Sequence, residues 1–206
     1  MPADPVLTAA TELPPIPALT AAVQGAVWIW PGGEIEELTI AKARMRAQRS
    51  APIVCHLPLQ STRLDCPPFR AFDVLELFAF VKPATFCLPT PHGLAAALDL
   101  DEPFDPIAET LTLLTATHAL LAKLAAASNG ATARRVAATM AQAGWSWGGP
   151  VADALGIEPG EPFGSAQTRS TRMGLDVWSR LPKWEELAPL PPPDDVPVAD
   201  VEARLR

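Results

Sequence analysis

The sequence is poor in cysteine and in basic residues, and these shortages exclude several classes of protein. Its three cysteines are widely spaced and odd in number, which argues against a disulfide framework. They and the three histidines show no Cys-x-x-Cys or other zinc-ligand spacing. The formal net charge of −7 leaves no global positive field that could hold nucleic acid. We therefore expect a reducing, cytoplasmic setting, in which any DNA contact needs a local basic patch.

Long apolar runs and nucleotide-binding motifs are also missing from the sequence. No run approaches the length of a membrane-spanning helix, so no membrane contact is expected. No basic and apolar leader follows Met1, which predicts that the chain carries no secretory signal. No Gly-x-x-x-x-Gly-Lys-Ser/Thr loop is present, so this chain is not expected to bind ATP through a P-loop. We expect no cofactor in this chain.

The length and the apolar fraction are typical of one globular domain with extensions. The chain has 206 residues, of which 49% are hydrophobic. Its 24 prolines cluster in LPPIP near Leu13 and in LAPLPPPDDVPV from Leu187 to Val198. The second cluster predicts an extended linker, because proline fixes φ and resists helix formation. The start of a further helix, VADVEARLR, follows it, so we expect the chain to be a piece of a longer protein.

Strands and helices alternate through the first 127 residues, which predicts an α/β layer structure. Residues 1 to 20 are Ala- and Pro-rich and are expected on the surface. GAVWIW, PGG and EIEELT predict a hairpin, IAKARMRAQRS a basic helix, and PIVCH a buried central strand. AFDVLE is expected to be a short strand that runs into a helix. Thr90 followed by Pro91 predicts the start of another helix.

The segment that begins at Asp105 predicts the clearest helix in the chain. Apolar residues and one histidine recur there at steps of three and four, at Ile107, Leu111, Leu114, His118, Leu121 and Leu124. A second helix is predicted in ATARRVAATMAQAG and a short one after GWSW. Trp145 and Trp147 lie on this Gly-rich turn, where aromatic side chains can stack on bases. We expect them instead to cover the end of the helix pair.

The order of segments between Ala51 and Leu100 resembles the middle of a DnaQ-like 3′–5′ exonuclease domain. In that family a strand ends in His-Asn and an Asp follows four residues after the Asn. His56 matches the histidine, whereas Leu57 and Ser61 stand at the other two positions. The family's last helix carries a His five residues before an Asp, and the nearest match has Phe104 and Glu109 there. The family's first motif, Asp-x-Glu on the first strand, has no counterpart in the hairpin AVWIWPGGEIEEL.

This resemblance implies an α/β domain with an RNase H-like mixed sheet flanked by helices, in which the chemistry has been lost. The family's carboxylates hold two divalent ions, and a serine hydroxyl is a poor ligand for a hard cation. No catalytic or metal-binding residue is expected in the chain. The vestigial exonuclease positions are His56, Ser61, Phe104 and Glu109. A residual metal-dependent 3′–5′ exonuclease that uses Glu109 with Asp73 or Glu76 is the remote alternative.

Segments spread over about residues 25 to 193 resemble the N-terminal region of DinG-like ATP-dependent DNA helicases of alphaproteobacteria. They include GAVWIWPGGEIEELT, VCHLPLQSTRL, FDVLELFAFVKP, MAQAGWSWGGPVADALG and RLPKWEELAPLPPP. In those proteins a Pro-rich linker leads to a helicase core with Walker motifs. The resemblance implies a non-catalytic accessory domain of a DNA repair or replication helicase, with the helicase core in cis as its partner. A stand-alone protein-interaction module without a nucleic-acid role is the alternative.

The resemblance and the composition divide the chain into four parts. Residues 1–24 are an N-terminal extension, 25–127 the degenerate exonuclease-like α/β domain, 128–186 a helical and irregular extension, and 187–206 a Pro-rich linker toward a helicase core. The third part contains a local basic-aromatic region, the candidate face for single-stranded or forked DNA. This region consists of Arg169, Arg172, Trp178, Arg180, Lys183 and Trp184.

Overall fold

A computed structural model of the chain describes residues 15–126 and 130–157. These residues form five strands and seven helices. The strands are β1 (Ala18–Ala21), β2 (Ala26–Ile29), β3 (Ile35–Leu38), β4 (Ile53–Val54) and β5 (Phe72–Asp73). The helices are α1 (Ile40–Ala47), α2 (Leu57–Arg63), α3 (Val74–Val81), α4 (Pro91–Leu98), α5 (Pro106–Ala125), α6 (Gly130–Gln142) and α7 (Gly148–Ala154).

The strands form one mixed sheet in the order β3-β2-β1-β4-β5. β1 pairs antiparallel with β2, and β2 pairs antiparallel with β3. β1 pairs parallel with β4, and β4 pairs parallel with β5. β2 therefore runs opposite to the other four strands. The expected α/β architecture, a mixed sheet flanked by helices, is confirmed.

The central strand of the sheet is β1, which lies in a part of the chain that the sequence placed on the surface. Ala18 and Leu19 have no exposed surface, and Thr20 and Ala21 are buried. The expectation that residues 1 to 20 lie on the surface is therefore wrong for residues 18 to 20. The sheet also begins before residue 25, where the α/β domain was expected to start. Pairing on both sides outweighs the weak strand preference of an Ala-rich segment.

The hairpin, the buried strand and the strand–helix junction that the sequence predicts are confirmed. β2 and β3 pair over their whole length, and the turn between them carries Gly33 at a φ of 86°. β4 falls within PIVCH, is buried and lies inside the sheet between β1 and β5. β5 leads directly into α3, as the segment AFDVLE predicts.

The helices α4 and α5 begin at side-chain caps that are visible in the sequence. Thr90 and Asp105 each accept a hydrogen bond from the backbone N–H three residues later, at 3.0 and 2.6 Å. Pro91 and Pro106 follow these caps, at a position where the missing N–H of proline costs no helical hydrogen bond. The predicted start of α4 at Thr90 is confirmed.

Helices cover both faces of the sheet and create two hydrophobic cores. Successive side chains of a strand point to opposite faces, so Ala18 and Leu19 belong to different cores. The core on the α1 and α2 face includes Leu19, Trp28, Ala43, Val54 and Leu64. The core on the other face, which α3 to α7 cover, includes Ala18, Ile53, Leu77, Leu113 and Trp147.

The buried face of α5 differs from the stripe that the sequence predicts. Leu121 and Leu124 are buried as expected, but Leu111 is 44% exposed and His118 is exposed. The residues that α5 buries are Thr110, Thr112, Leu113, Ala116, Thr117, Leu120, Leu121 and Leu124. Apolar residues lie on several sides of this helix, so its packing against the sheet determines which of them are buried. Two of the buried threonines donate to carbonyl groups one turn earlier, which satisfies their hydroxyls.

The predicted helices in ATARRVAATMAQAG and after GWSW are present as α6 and α7. Gly144, at a φ of 90°, lies in the turn between them. The first turn of α7 packs closely on α6, because a Cβ at Gly148 would lie 2.5 Å from the Cβ of Ala141. No helix within residues 15–126 and 130–157 has the length and apolar character needed to cross a membrane.

Candidate functional site

The carboxylate of Asp73 ties the end of β4 to the starts of two helices. Its Oδ1 accepts hydrogen bonds from the backbone N–H groups of His56 and Leu75, both at 3.1 Å. Its Oδ2 accepts the N–H of Leu57 at 2.7 Å. The side chain is 8% exposed, so both oxygens are used at a mostly buried site. Asp73 is therefore the acceptor for backbone N–H groups at the starts of α2 and α3.

His56, the residue that matches the family's histidine, lies directly after β4 and before α2. Its backbone adopts the left-handed conformation, with a φ of 61° and a ψ of 74°. Its side chain makes no capping hydrogen bond to α2, although its backbone N–H is held by Asp73. The backbone of His56 therefore changes the direction of the chain between β4 and α2.

Gln60 and Ser61 lie on α2 and face the buried side of that helix. The Oε1 of Gln60 accepts the backbone N–H of Ala21 at 2.8 Å, and its Nε2 donates to the carbonyl of Cys55 at 3.3 Å. The amide of Gln60 thus bridges the ends of β1 and β4. Ser61, at the family's Asp position, is 4% exposed, and its Oγ has no hydrogen-bond partner. A buried hydroxyl next to an amide bridge does not provide a cation site.

The first strand of the sheet is β1, and this changes where the family's first motif should be sought. The sequence comparison used the hairpin AVWIWPGGEIEEL, which forms the second and third strands, so that placement is wrong. β1 reads ALTA and carries no acidic residue. Ala18 packs in the core that α5 covers, and alternation along the strand places Thr20 on the same face. The hydroxyl of Thr20 is buried without a partner.

Phe104 and Glu109 mark the start of α5. Phe104 is 89% exposed and lies before the helix, whereas Glu109 lies in its first turn and is half-buried. The Oε1 of Glu109 lies 3.9 Å from the Nδ1 of His92 on α4. Within residues 15–126 and 130–157, no hydrogen bond or ion pair joins any two of the four vestigial positions. The same residues contain no group of three or more His, Cys, Asp or Glu that could hold a metal ion.

Cys55 precedes His56, but the two residues do not form a nucleophile–base pair. Burial raises the pKa of the Cys55 thiol far above its ordinary value, and the nearby Asp73 carboxylate raises it further. The thiol therefore keeps its proton and packs in the core with Ile53 and Leu77. The charge of Glu109 also contributes to this rise.

The two tryptophans of the GWSW turn were expected to cover the end of the helix pair, and the contacts of their rings are with β5 and α3. Trp147 has no exposed surface, donates from Nε1 to the carbonyl of Asp73 at 2.7 Å and packs edge-on against Phe72. Trp145 donates from Nε1 to Oε2 of Glu76 at 3.1 Å. Burial raises the pKa of Glu76, the charge of Asp73 raises it further, and the hydrogen bond from Trp145 lowers it. Glu76 is therefore part of a contact between α3 and the turn before α7.

A cleft that we name the hairpin cleft lies beside the start of α5. It has a volume of about 630 Å³ and is lined by Ala22 and residues 24–27, by residues 37–39, and by residues 105–107. These segments are the β1–β2 turn with β2, the end of β3 with the following cap, and the start of α5. The cleft thus opens beside the hairpin half of the sheet.

The candidate DNA face lies outside the described residues. Arg169, Arg172, Trp178, Arg180, Lys183 and Trp184 all follow residue 157, and so does the predicted linker at residues 187–206. Arg134, which could extend that face, donates from Nη2 to the carbonyl of Leu155 at 2.8 Å. Arg134 therefore joins α6 to the end of α7.

The hydrogen-bonding roles of two side chains, Asp73 and Gln60, were not predicted from the sequence. Asp73 directly precedes the apolar run VLELF, with Glu76 three residues later, and this is the pattern of a helix N-cap with an acidic first turn. That signal could have identified Asp73 as a capping residue. No sequence signal identifies Gln60, because its partners Ala21 and Cys55 come together only in the folded sheet.

Comparisons with known proteins leave the site to be interpreted from its own geometry. No protein-family model, no curated protein and no solved structure matches the chain.

Proposed function

We propose that this chain is a non-catalytic, exonuclease-like domain that acts as an accessory to an ATP-dependent DNA helicase in cis. Its sheet is of the RNase H-like type, and its role is to help the helicase engage DNA or a partner protein. The proposed setting is DNA repair or replication in the cytoplasm.

The order of the strands supports the proposed fold type. An RNase H-like sheet is a mixed five-stranded sheet in which only the second strand is reversed, and the order β3-β2-β1-β4-β5 has this property. PIVCH supplies an interior strand that is followed by a helix carrying Ser61. The long helix α5 packs across the same sheet and carries Glu109 near its start.

The observation that carries the proposal is the set of side chains at the places where the exonuclease family needs carboxylates. β1 offers alanine and threonine, and α2 offers Ser61 beside the bridging amide of Gln60. Glu109 is the one vestigial position that is acidic, and a single carboxylate cannot hold two divalent ions. The carboxylate of Asp73 accepts hydrogen bonds from the backbone N–H groups of His56 and Leu57. The fold is retained while the ligands for the reaction are replaced.

A nuclease assay tests the non-catalytic part of the proposal. The purified chain, incubated with single-stranded DNA and Mg²⁺ or Mn²⁺, is expected to leave the DNA intact. Degradation that disappears in a Glu109→Gln variant would show a working site at α5 and would overturn this part. Degradation that persists in that variant would point to a contaminating nuclease, which repurification then removes.

Two further measurements test the helicase part. The reading frame beyond Arg206 is expected to encode a Gly-Lys-Thr motif within the following domain, and a frame without one would contradict the association. A titration with single-stranded, duplex and forked DNA should show weak, salt-sensitive binding. Replacing Arg169, Arg172, Arg180 and Lys183 together with alanine should abolish that binding, because phosphate contacts release counterions. Equal binding by this variant would contradict the proposed DNA face.

A further inference from the structure

The hairpin cleft combines an apolar lining with exposed apolar residues beside it. Val27 and Ile107 are apolar residues of the lining on the α5 side of the sheet, whereas the side chain of Leu38 points to the other face and packs in the core there. Val23, next to the lining residues Ala22 and Gln24 in the chain, is 91% exposed. Phe104, next to the lining residue Asp105, is 89% exposed. Large apolar side chains that remain exposed beside a cleft are typical of an interaction surface.

The charged residues that line the cleft are acidic, although the guanidinium of Arg63 donates to the carbonyl of Ala21, next to the lining residue Ala22 in the chain. Glu37 and Asp105 line the cleft, and none of its lining residues is basic. Asp101 and Glu102 add two exposed carboxylates in the loop that leads to Phe104. The start of α5 would ordinarily attract an anion, but Asp105 already accepts the N–H of Ala108, and Pro106 has no N–H to offer. The carboxylates of Glu37 and Asp105 would therefore repel a phosphate group at this cleft.

We propose that the hairpin cleft binds a basic linear peptide segment of a partner protein, anchored by one large apolar side chain. The anchor would enter between Val27 and Ile107, and lysine or arginine residues on either side of it would face Glu37, which lies on the same face of the sheet as Val27, and Asp105. Charge complementarity of this kind selects the partner and speeds association. The volume of about 630 Å³ is sufficient for one large side chain and the adjoining backbone.

This inference rests on the proposed function only in assuming that the domain serves a macromolecular partner. It selects the partner protein over DNA for this cleft, because single-stranded DNA would place its phosphates against carboxylates. DNA binding, if present, belongs to the separate basic-aromatic region after residue 157.

The test is selection of random linear peptides displayed on phage against the whole chain, with counter-selection against a Glu37→Lys variant. Enriched peptides are expected to combine lysine or arginine with one large apolar residue. The most enriched sequence is then synthesised with a fluorescent label, and its binding is measured by fluorescence anisotropy at neutral pH and low salt. Glu37→Lys is expected to weaken its binding by about tenfold, because a favourable charge contact becomes a repulsive one.

Matched variants separate the cleft from general effects. Glu34→Lys makes the same charge change on an exposed residue of the hairpin turn that does not line the cleft, and it should change binding by less than about twofold. Phe104→Ser should weaken binding, whereas Phe86→Ser, at an 81% exposed residue outside the lining, should not. Far-ultraviolet circular dichroism should show that all four variants keep the fold, since each position is exposed.

Three outcomes of the peptide experiments would overturn the inference. They are the enrichment of no peptide, the enrichment of peptides without basic residues, and equal weakening by Glu37→Lys and Glu34→Lys. If an oligothymidylate displaces the peptide and Glu37→Lys strengthens oligothymidylate binding, the cleft is a nucleic-acid site and the inference is wrong. None of these measurements uses nuclease or helicase activity, so failure here leaves the proposed function standing, and failure of the proposed function leaves the peptide result standing.

Discussion

The two halves of the sheet use their carboxylates in different ways. In the half formed by β4 and β5, which we call the closed half, Asp73 accepts three backbone hydrogen bonds and Trp147 covers the strand ends. In the half formed by β2 and β3, Glu37 is exposed and lines an open cleft. The closed half therefore uses Asp73 for stability, whereas the hairpin half leaves Glu37 exposed, although its neighbour Glu36 is held by the guanidinium of Arg46. Substitutions that remove these groups should affect folding in the first case and binding in the second.

Replacing Asp73 with alanine should have the largest effect on the closed half. It leaves three backbone N–H groups at a mostly buried site without their acceptor, which should lower the free energy of unfolding by about 3 kcal/mol. Urea denaturation followed by tryptophan fluorescence measures this loss. The control Asp101→Ala removes an exposed carboxylate and should cost less than about 0.5 kcal/mol. Similar losses of unfolding free energy in the two variants would show that Asp73 stabilises the fold no more than an exposed carboxylate does. That result would contradict the proposed difference between the two halves.

A pair of adjacent glycines tests how tightly α7 seals the closed half. A Cβ at Gly148 would lie 2.5 Å from the Cβ and 3.0 Å from the Cα of Ala141, whereas a Cβ at Gly149 meets nothing within 4 Å. Gly148→Ala should therefore lower the free energy of unfolding by about 1–3 kcal/mol through overpacking. Gly149→Ala should be neutral or stabilising by up to about 1 kcal/mol, because alanine favours helix. Equal stabilities in denaturant would show that α6 and α7 pack loosely.

Glu76 makes a smaller contribution to the free energy of unfolding, and this contribution depends on pH. Its pKa is raised above 4.5, chiefly by burial, so the folded chain binds its proton more readily than the unfolded chain. Stability should therefore fall as pH rises from 4.5 through the raised pKa, and the penalty should persist at neutral pH. Glu76→Gln removes the charge and keeps an acceptor for Trp145. The variant should be more stable than the parent at neutral pH, and this gain should vanish below pH 4.5.

Denaturation measured across this pH range tests the sign of the effect. A companion variant, Trp145→Phe, removes the hydrogen bond that lowers the pKa of Glu76, and should widen the pH window over which stability falls. A gain for Glu76→Gln that is largest in acid would contradict the argument.

The smallest stability change is expected at the edge of the hairpin half. Val23 and Phe104 are 91% and 89% exposed, so replacing both with serine should change the free energy of unfolding by less than about 0.5 kcal/mol. Thermal and urea denaturation of the double variant measure this change. A loss of unfolding free energy comparable to that of Asp73→Ala would mean that these side chains stabilise the fold. The hairpin half would then not differ from the closed half in this respect.

Much of the fold could be predicted from the sequence, because local signals and tertiary packing agree over most of it. The PGG turn, the cap at Thr90 and the apolar run in PIVCH each predict an element that is present. β1 could not be predicted, because ALTA has little strand preference and becomes a strand only between β2 and β4. The buried face of α5 was only partly predicted, since Thr110 and Thr117 are buried and the expected neighbours Leu111 and His118 are exposed.

The site could be predicted only as far as it depends on spacing along the chain. The sequence placed His56 at the end of the strand in PIVCH, and it lies directly after β4, but the sequence did not predict α2, which carries Ser61. It could not show that Asp73 holds the backbone of His56, because these residues are 17 positions apart and meet through the parallel pairing of β4 and β5. The hairpin cleft likewise combines three segments that are distant in sequence.

The amide bridge of Gln60 has a consequence for how this sheet opens. The N–H of Ala21 is bonded to a side chain of α2, and β1 and β4 share one register pair, Ala18 with Ile53. The Ala21 amide proton should therefore exchange with deuterated solvent only when α2 lifts from the sheet. Its exchange rate would report the free energy of that local opening, and in a Gln60→Ala variant this one proton should exchange much faster while the β1–β2 ladder stays protected.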